Sequence, residues 1–474
     1  MRTHPLYLDG DFFTSEKSVP VKNPATGEVF ARASIIDRPR VAQAVRDAHA
    51  AFGLWRKQTG KARGEFLHKI ALAMEPRRDE IARLITLENG KSMAQSHGEV
   101  AMSIDHLHWF GEEARRAYGR VIPPQVEGKR HLVIKSPMGV VGAISPWNFP
   151  MVLGVRKVAP ALAAGCTVVL KPARQTPLSS IAFAECVHAA GLPKNVFQLV
   201  LGSSDEIGQE FLQNELCRKI TFTGSTEVGK ILIRGAAEQV KPLSLELGGL
   251  GPLLVFDDAD FEQAIEGVLV AKFRNTGQSC IAANRIYVQR GIYERFVQAL
   301  AVRARGLKVG EGTEEGVQIG PLIDEDGLNK AVAQIDDAVQ RGARLLCGGK
   351  RVSGRKGFFL EPTVLADVPH DGVCMREETF APVAPVSVFD TEDEAVARAN
   401  TSVYGLSAYA FTKDLSRTFR LMESLEAGMI AINDGVPTTS QAPFGGIKQS
   451  GWGRELGLEG MDAFLETKHI AIAI

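Results

Sequence analysis

Between residues 140 and 247 the chain alternates short apolar runs with helical stretches, and no other feature restricts its fold so strongly. Strand-length runs at 140–144, 167–170, 196–199, 219–222 and 242–247 are separated by helix-like segments at 151–164, 178–190, 205–214 and 227–237. Strands that are apolar throughout, with no in–out alternation, are buried on both faces. Joined by helices through right-handed crossovers, they form a parallel, doubly wound α/β sheet. Such a sheet binds ligands beyond the carboxyl ends of its strands. The segments that follow these strands carry Trp147-Asn148, Lys171-Pro-Ala-Arg174, Gly202-Ser-Ser and Thr223-Gly-Ser-Thr-Glu-Val-Gly229.

Around this unit, residues 1–40 read as short strands and turns. The stretch 39–118 reads as helix, with alanines and leucines recurring at three and four. Residues 126–135 read as a strand, with a hairpin around Gly128. A second α/β unit begins near Gly251, with runs at 253–256, 261–274, 283–289 and 293–306 and further stretches to about 432. The tail is apolar at 470, 472 and 474, the alternation of an edge strand, which a second subunit is suited to cover. A length of 474 residues gives a prior of about three domains.

The 55 basic and 55 acidic residues cancel, which argues against nucleic acid or an anionic membrane as the main partner. The longest nearly apolar run, 158–170, contains Pro160 and Gly165 and is too short to span a bilayer. The N-terminus lacks the apolar core of a signal peptide, so a cytoplasmic protein is expected. Six scattered cysteines, with no CxxC pair, predict neither a disulfide framework nor a metal site. His106 and His108, two apart on a helix, point in different directions and are expected on a solvated surface.

Three residues have the chemistry of a covalent catalyst. Cys280 ends the stretch Phe273-Arg-Asn-Thr-Gly-Gln-Ser-Cys280, between a helical run and a strand. A thiol at such a junction is either a nucleophile or a small buried hydrophobe. Glu246, in Leu-Glu-Leu-Gly-Gly, stands at a strand end, where it is either a general base in a cleft or a surface carboxylate beside a loop. Asn148, in Pro-Trp-Asn-Phe-Pro, is either an oxyanion donor or an Asx turn or helix N-cap. The Gly224-Ser-Thr-Glu-Val-Gly229 turn lacks a full GxGxxG fingerprint but offers amides to a phosphate at a helix start.

In order along the chain stand Pro146-Trp-Asn-Phe-Pro, Leu170-Lys-Pro, Phe222-Thr-Gly-Ser-Thr, Leu245-Glu-Leu-Gly-Gly, Gly277-Gln-Ser-Cys, Glu377-Glu-Thr-Phe and Pro443-Phe-Gly-Gly-Ile-Lys-Gln-Ser-Gly. With these motifs the chain resembles the aldehyde dehydrogenase superfamily over nearly its full length, most closely its succinate-semialdehyde dehydrogenase branch. The resemblance implies a dinucleotide-binding domain (1–117 and 138–247), a catalytic domain (248–446) and an oligomerisation and C-terminal segment (118–137 and 447–474), assembled as a homodimer or homotetramer. It implies Cys280 as nucleophile, Asn148 and the Cys280 amide as oxyanion hole, and Glu246 as the base that activates water. It places Trp147, Lys171, Arg174, Gly224, Ser225, Glu378 and Phe380 on NADP or NAD. Leu250-Gly251 after Glu-Leu-Gly-Gly, and Ala381 after Glu-Thr-Phe, depart from the family's pattern.

The activity implied is NAD(P)-dependent oxidation of an aldehyde to a carboxylate through a cysteine thioester. Arg174 stands where NAD-preferring relatives commonly carry a glutamate, so NADP use is expected, with NAD accepted. Arg156, eight residues after Asn148, and Arg274, six before Cys280, stand where succinate-semialdehyde dehydrogenases bind the substrate's far carboxylate, with Thr438 and Thr439 as hydroxyl donors. Succinate semialdehyde is the expected substrate. The alternatives are a sulfonated or longer semialdehyde, an aliphatic or aromatic aldehyde, or reaction of a CoA-acylating relative. Glu246 speaks against the last, since acylating members often lack that base.

Overall fold

A computed structural model describes residues 2–474. Five parallel strands form the centre of the first sheet, in the spatial order Leu243–Glu246, Cys217–Thr223, Val140–Ile144, Thr167–Lys171 and Phe197–Leu199. Chain order reverses between Val140–Ile144 and Cys217–Thr223, and a crevice opens at such a reversal. The antiparallel strands Leu6–Leu8 and Asp11–Phe13 extend one edge, and Gly451–Trp452 pairs with Leu245–Glu246 at the other. The remaining N-terminal strands form a separate small sheet, Thr3–His4, Val29–Ser34 and Ser18–Lys22.

The predicted helical stretch resolves into Arg38–Trp55, Gly60–Met74, Arg78–Asn89 and Met93–Glu113. Two buried carboxylates from this layer cap helices of the parallel unit. Glu88 accepts from the amides of Leu178 (2.6 Å) and Ser179 (3.0 Å), at the start of Leu178–Ala189. Glu99 accepts from Met151 (2.9 Å) and Val152 (3.2 Å), at the start of Val152–Ala164. Neither helix has a local side-chain cap, so these contacts satisfy amides that the helix leaves unpaired.

The second sheet has six parallel strands, Thr363–Ala366, Val383–Phe389, Ala283–Gln289, Gly251–Val255, Ser407–Phe411 and Met429–Ile432, with Arg344–Cys347 antiparallel at one edge. Only residues 247–250 join the carboxyl end of Leu243–Glu246 to the amino end of Gly251–Val255. Cys280 lies just before Ala283–Gln289, at the same amino edge. Glu246 and Cys280 therefore meet where the two sheets abut.

A third sheet is a ribbon. Lys129–Pro137 pairs along its whole length with Leu465–Ala473, and on its other side with Arg120–Ile122. Gly128 turns the hairpin at φ +71°. Of the C-terminal segment 447–474, only the last strand joins this ribbon. Ile447–Lys448 pairs with Tyr404–Gly405, and Gly451–Trp452 joins the first sheet, so 447–464 folds back on the cleft. No helix among the described residues is long and apolar enough to cross a membrane.

Candidate active site

At the strand reversal lies a cavity of about 270 Å³, lined by Trp147, Asn148, Gly224, Ser225, Cys280, Glu378 and Phe380, with Thr223 and Lys330 beside them. Trp147 and Phe380 meet edge to face at 5.5 Å. Ser225 caps the helix Thr226–Ala237, its hydroxyl accepting from the Val228 amide. Of the residues expected on a dinucleotide, Lys171 and Arg174 lie off this lining, after the neighbouring strand. Lys171 is buried with only the Pro172 carbonyl as partner, at 3.4 Å, and Arg174 is exposed. Burial, with Arg174 nearby, lowers the Lys171 pKa to about 8. Desolvation raises Glu378 to about 8, and its carboxylate accepts from the Gly249 amide at 3.4 Å.

The turn before Cys280 is strained. Asn275, Thr276 and Gly277 take φ of +51°, +58° and +74° in succession. For a β-branched residue such as Thr276 this is rare, and it persists only where the surroundings enforce it. They do so here. The Asn275 amide donates to the carbonyls of Asn148 (2.8 Å) and Gln278 (3.0 Å), and the Thr276 hydroxyl exchanges hydrogen bonds with Gly320. Only glycine fits at 277, since a Cβ there would lie 2.1 Å from the Ala381 carbonyl oxygen. Beyond the cysteine, the Tyr409 hydroxyl donates to Ile281 O at 2.5 Å. The loop thus holds the sulfur from both sides.

Asn148 is no helix cap, since Glu99 performs that task from another helix. Its side-chain amide donates to Gln278 O at 3.2 Å, two residues before Cys280. Its own carbonyl is clamped by Lys91 Nζ at 2.8 Å and by Asn275. Lys91 is fully buried, paired with Glu99 at 2.6 Å and set over the Phe149 ring at 3.9 Å. A buried ammonium is tolerated only with such partners. The ion pair therefore ties the cap of Val152–Ala164 to the turn that carries Asn148.

Glu246 is 2 % exposed, and neither carboxylate oxygen has a well-formed hydrogen bond. The Cys280 thiol adjoins it. Burial raises the Glu246 pKa, helped by the neighbouring Glu455. Glu455 is held by Lys157, which also donates to Thr223 Oγ1 at 2.6 Å. Burial, and then the Glu246 charge, push the Cys280 pKa well above its ordinary value. The Glu246 carboxylate hinders ionisation of the thiol, whereas the thiol, by donating to it, favours the carboxylate. Glu246→Gln removes the opposing charge. Alkylation of Cys280 by iodoacetamide, followed against pH, should shift to lower pH in that variant, and an unchanged profile would show that Glu246 does not govern the thiol.

Arg156 and Arg274 lie off the lining of the cavity at the strand reversal, and Arg274 borders a separate one with Phe273 and Gln95. Both lie within electrostatic reach of each other and of Cys280. Arg156 is buried and stacks over Phe444 at 4.4 Å, and Arg274 stacks over Phe149 at 5.2 Å. Neither has a carboxylate partner among the described residues. Burial lowers the Arg274 pKa. Thr438 Oγ1 is buried without a partner, whereas the Thr439 hydroxyl is engaged by Gln441.

His106, expected on a solvated surface, is 2 % exposed. The helix that carries it packs on Val152–Ala164 and turns His106 onto Arg156 and Ser440. His108, by contrast, faces outward and contacts His68. Sequence reading also passed over Lys157 and Glu455. Arg156-Lys157 does leave a signal, two charges inside a helix that is otherwise wholly apolar or small and buried at every position. Glu455 and Ser440 leave none.

The model of the aldehyde dehydrogenase family matches residues 12–470. The chain belongs to the aldehyde dehydrogenase family. This aldehyde dehydrogenase is 46 % identical over 470 residues to the glutarate-semialdehyde dehydrogenase of Pseudomonas putida KT2440, covering 99 % of this chain and 97 % of that protein. It is 46 % identical over 458 residues to the NADP(+) succinate-semialdehyde dehydrogenase of Escherichia coli K12, covering 97 % and 95 %. The crystal structure of succinate-semialdehyde dehydrogenase from Burkholderia pseudomallei superposes with a TM-score of 0.98 at 42 % identity, covering 99 % and 98 %. As an aldehyde dehydrogenase it is an NAD(P)-dependent oxidoreductase.

Proposed function

We propose that this aldehyde dehydrogenase oxidises a short aldehyde with an anionic far end, succinate semialdehyde first and a longer or sulfonated semialdehyde next. One observation carries the reading. Two guanidinium groups, Arg156 and Arg274, stand largely desolvated beside Cys280, and neither forms an ion pair with a carboxylate among the described residues. Unpaired charge in such a place is costly, and an anionic substrate relieves it while holding the aldehyde against the sulfur. Thr438, with its unpartnered hydroxyl, offers a further donor. The similarity to proteins named for succinate and glutarate semialdehydes supports the same class.

In this reading the Cys280 thiolate forms a C–S bond to the aldehyde carbon. The Asn148 side-chain amide and the Cys280 backbone N–H face the oxygen as it gains charge. Bound NAD(P) supplies a hydride acceptor. Glu246, its carboxylate oxygens unengaged by protein donors, takes a proton from the water that attacks the thioester, and the acid leaves as the Cys280 thiolate is restored. Trp147, Gly224, Ser225, Glu378 and Phe380 line a cavity that fits a dinucleotide, with a helix start for phosphate and buried Lys171 free of any carboxylate. An exposed guanidinium at Arg174 can pair with a 2′-phosphate, which supports use of NADP. Arg174→Glu should therefore shift the ratio of kcat/KM toward NAD, and an unchanged ratio would remove Arg174 from cofactor choice.

A homodimer or homotetramer belongs to this reading. Both edges of the ribbon are unpaired, and Tyr118, Val121, Val126 and Ile474 are exposed on or beside it. The deciding experiment is a panel of aldehydes with and without a terminal acid, assayed with NADP and NAD and no CoA. Preference for uncharged aldehydes would overturn the substrate reading, and a requirement for CoA would overturn the hydrolytic one.

A further inference from the structure

We infer that His106 determines specificity as a positioning residue, holding the Arg156 guanidinium through a one-way hydrogen-bond chain that runs on to Ser440 and Asp105. The inference rests on the reading of Arg156 as a holder of the substrate's anionic end. Arg156 Nε lies 3.3 Å from His106 Nε2, and His106 Nδ1 lies 2.8 Å from Ser440 Oγ. Ser440 Oγ in turn contacts the Asp105 carboxylate.

The two ends fix every direction in between. A guanidinium only donates, so His106 Nε2 accepts. The proton of the neutral ring is then on Nδ1, which donates to Ser440. The one hydroxyl proton of Ser440 goes to Asp105, whose carboxylate only accepts. No member can reverse without breaking a bond at one end. Burial, and the charge of Arg156, hold the His106 pKa well below its usual value, so the ring stays neutral and keeps its acceptor.

The consequence falls on Arg156. Its Nε edge is taken by His106 and its face by the Phe444 ring, which leaves its two terminal nitrogens without protein partners. A guanidinium held on edge and face presents the fork that suits a carboxylate or sulfonate, and less side-chain freedom is lost when substrate arrives. Ser440 lies directly after Thr438 and Thr439, so the same chain ties that loop to the helix Met93–Glu113. A histidine that merely filled space between helices would need neither the acceptor toward Arg156 nor the donor toward Ser440.

The test compares succinate semialdehyde with butanal in His106→Phe, His106→Gln, Ser440→Ala and Arg156→Ala, with thermal melting and NADP titration as checks on folding. His106→Phe should raise KM for succinate semialdehyde about tenfold or more, as expected for a lost hydrogen bond to a charged group, with kcat and both butanal constants little changed. His106→Gln, which retains an acceptor, should recover part of the loss. Ser440→Ala should move KM in the same direction by less, and it carries the test if His106→Phe does not fold. Should Arg156→Ala separate the two substrates while the His106 and Ser440 variants do not, the inference falls alone. Should Arg156→Ala treat both substrates alike, the reading of Arg156 falls and takes the inference with it.

Discussion

Cys280→Ala should leave a protein that binds NADP and turns over no aldehyde. The alanine retains the fold of the turn, because Asn275 and Thr276 are held by the carbonyls of Asn148, Gln278 and Gly320, bonds that do not involve the sulfur. What is lost is the covalent route itself. In other enzymes removal of the nucleophile costs about 10⁶-fold, and a loss of at least about 10⁴-fold is expected here. Glu246→Gln should behave differently. Thioester formation does not need its proton-accepting oxygen, but hydrolysis does. Mixing that variant with aldehyde and NADP should give one equivalent of reduced cofactor per site in a burst, after which turnover stalls. Ordinary steady-state turnover in Cys280→Ala would refute the mechanism. A slow reaction without a burst in Glu246→Gln would move Glu246 to an earlier step.

The arginines should show the next largest effect, and only with acidic substrates. Truncating one partner of a desolvated ion contact costs roughly 2–5 kcal/mol. For Arg156→Ala or Arg274→Ala this corresponds to roughly 30- to 5,000-fold in kcat/KM for succinate semialdehyde, carried mostly by KM. Butanal makes no such contact and should react almost as before. Arg156→Lys should recover little, since an ammonium has neither the fork nor the planar face that fits over Phe444. Equal losses on both substrates would mean that the arginines shape the cleft and do not read the anion.

Much of this arrangement is legible in the chain because it is local. The alternation over 140–247 gives the parallel sheet, and its strand ends deliver Trp147, Asn148, Gly224 and Glu246 to one crevice. Glycine at 277 is forced by the neighbouring Ala381 carbonyl, yet already reads as a turn. What stayed hidden depends on packing between distant elements. His106 looks like a surface residue until Met93–Glu113 is laid on Val152–Ala164. Asn148 reads equally as a cap until Glu99, from another helix, is seen in that role. Thr439, expected beside Thr438 as a donor, turns its hydroxyl to Gln441. Glu455 reaches Lys157 only because 447–464 folds back along the first sheet, where a C-terminal segment would be expected to continue toward the ribbon.

The order in which this chain is made bears on the ribbon described above. His131 and His469 touch across its two longer strands, yet 338 residues separate them. At about 5–20 residues per second, Lys129–Pro137 waits on the order of half a minute after synthesis for Leu465–Ala473 to exist, and longer still for it to clear the ribosome. Until then the open side of Lys129–Pro137 has no strand to pair with. Gly451–Trp452, which flanks the strand bearing Glu246, is equally late. A nascent chain therefore completes neither the edge of its first sheet nor its ribbon until these late strands are made, and a chain that stops before Leu465 lacks the ribbon's longest pairing.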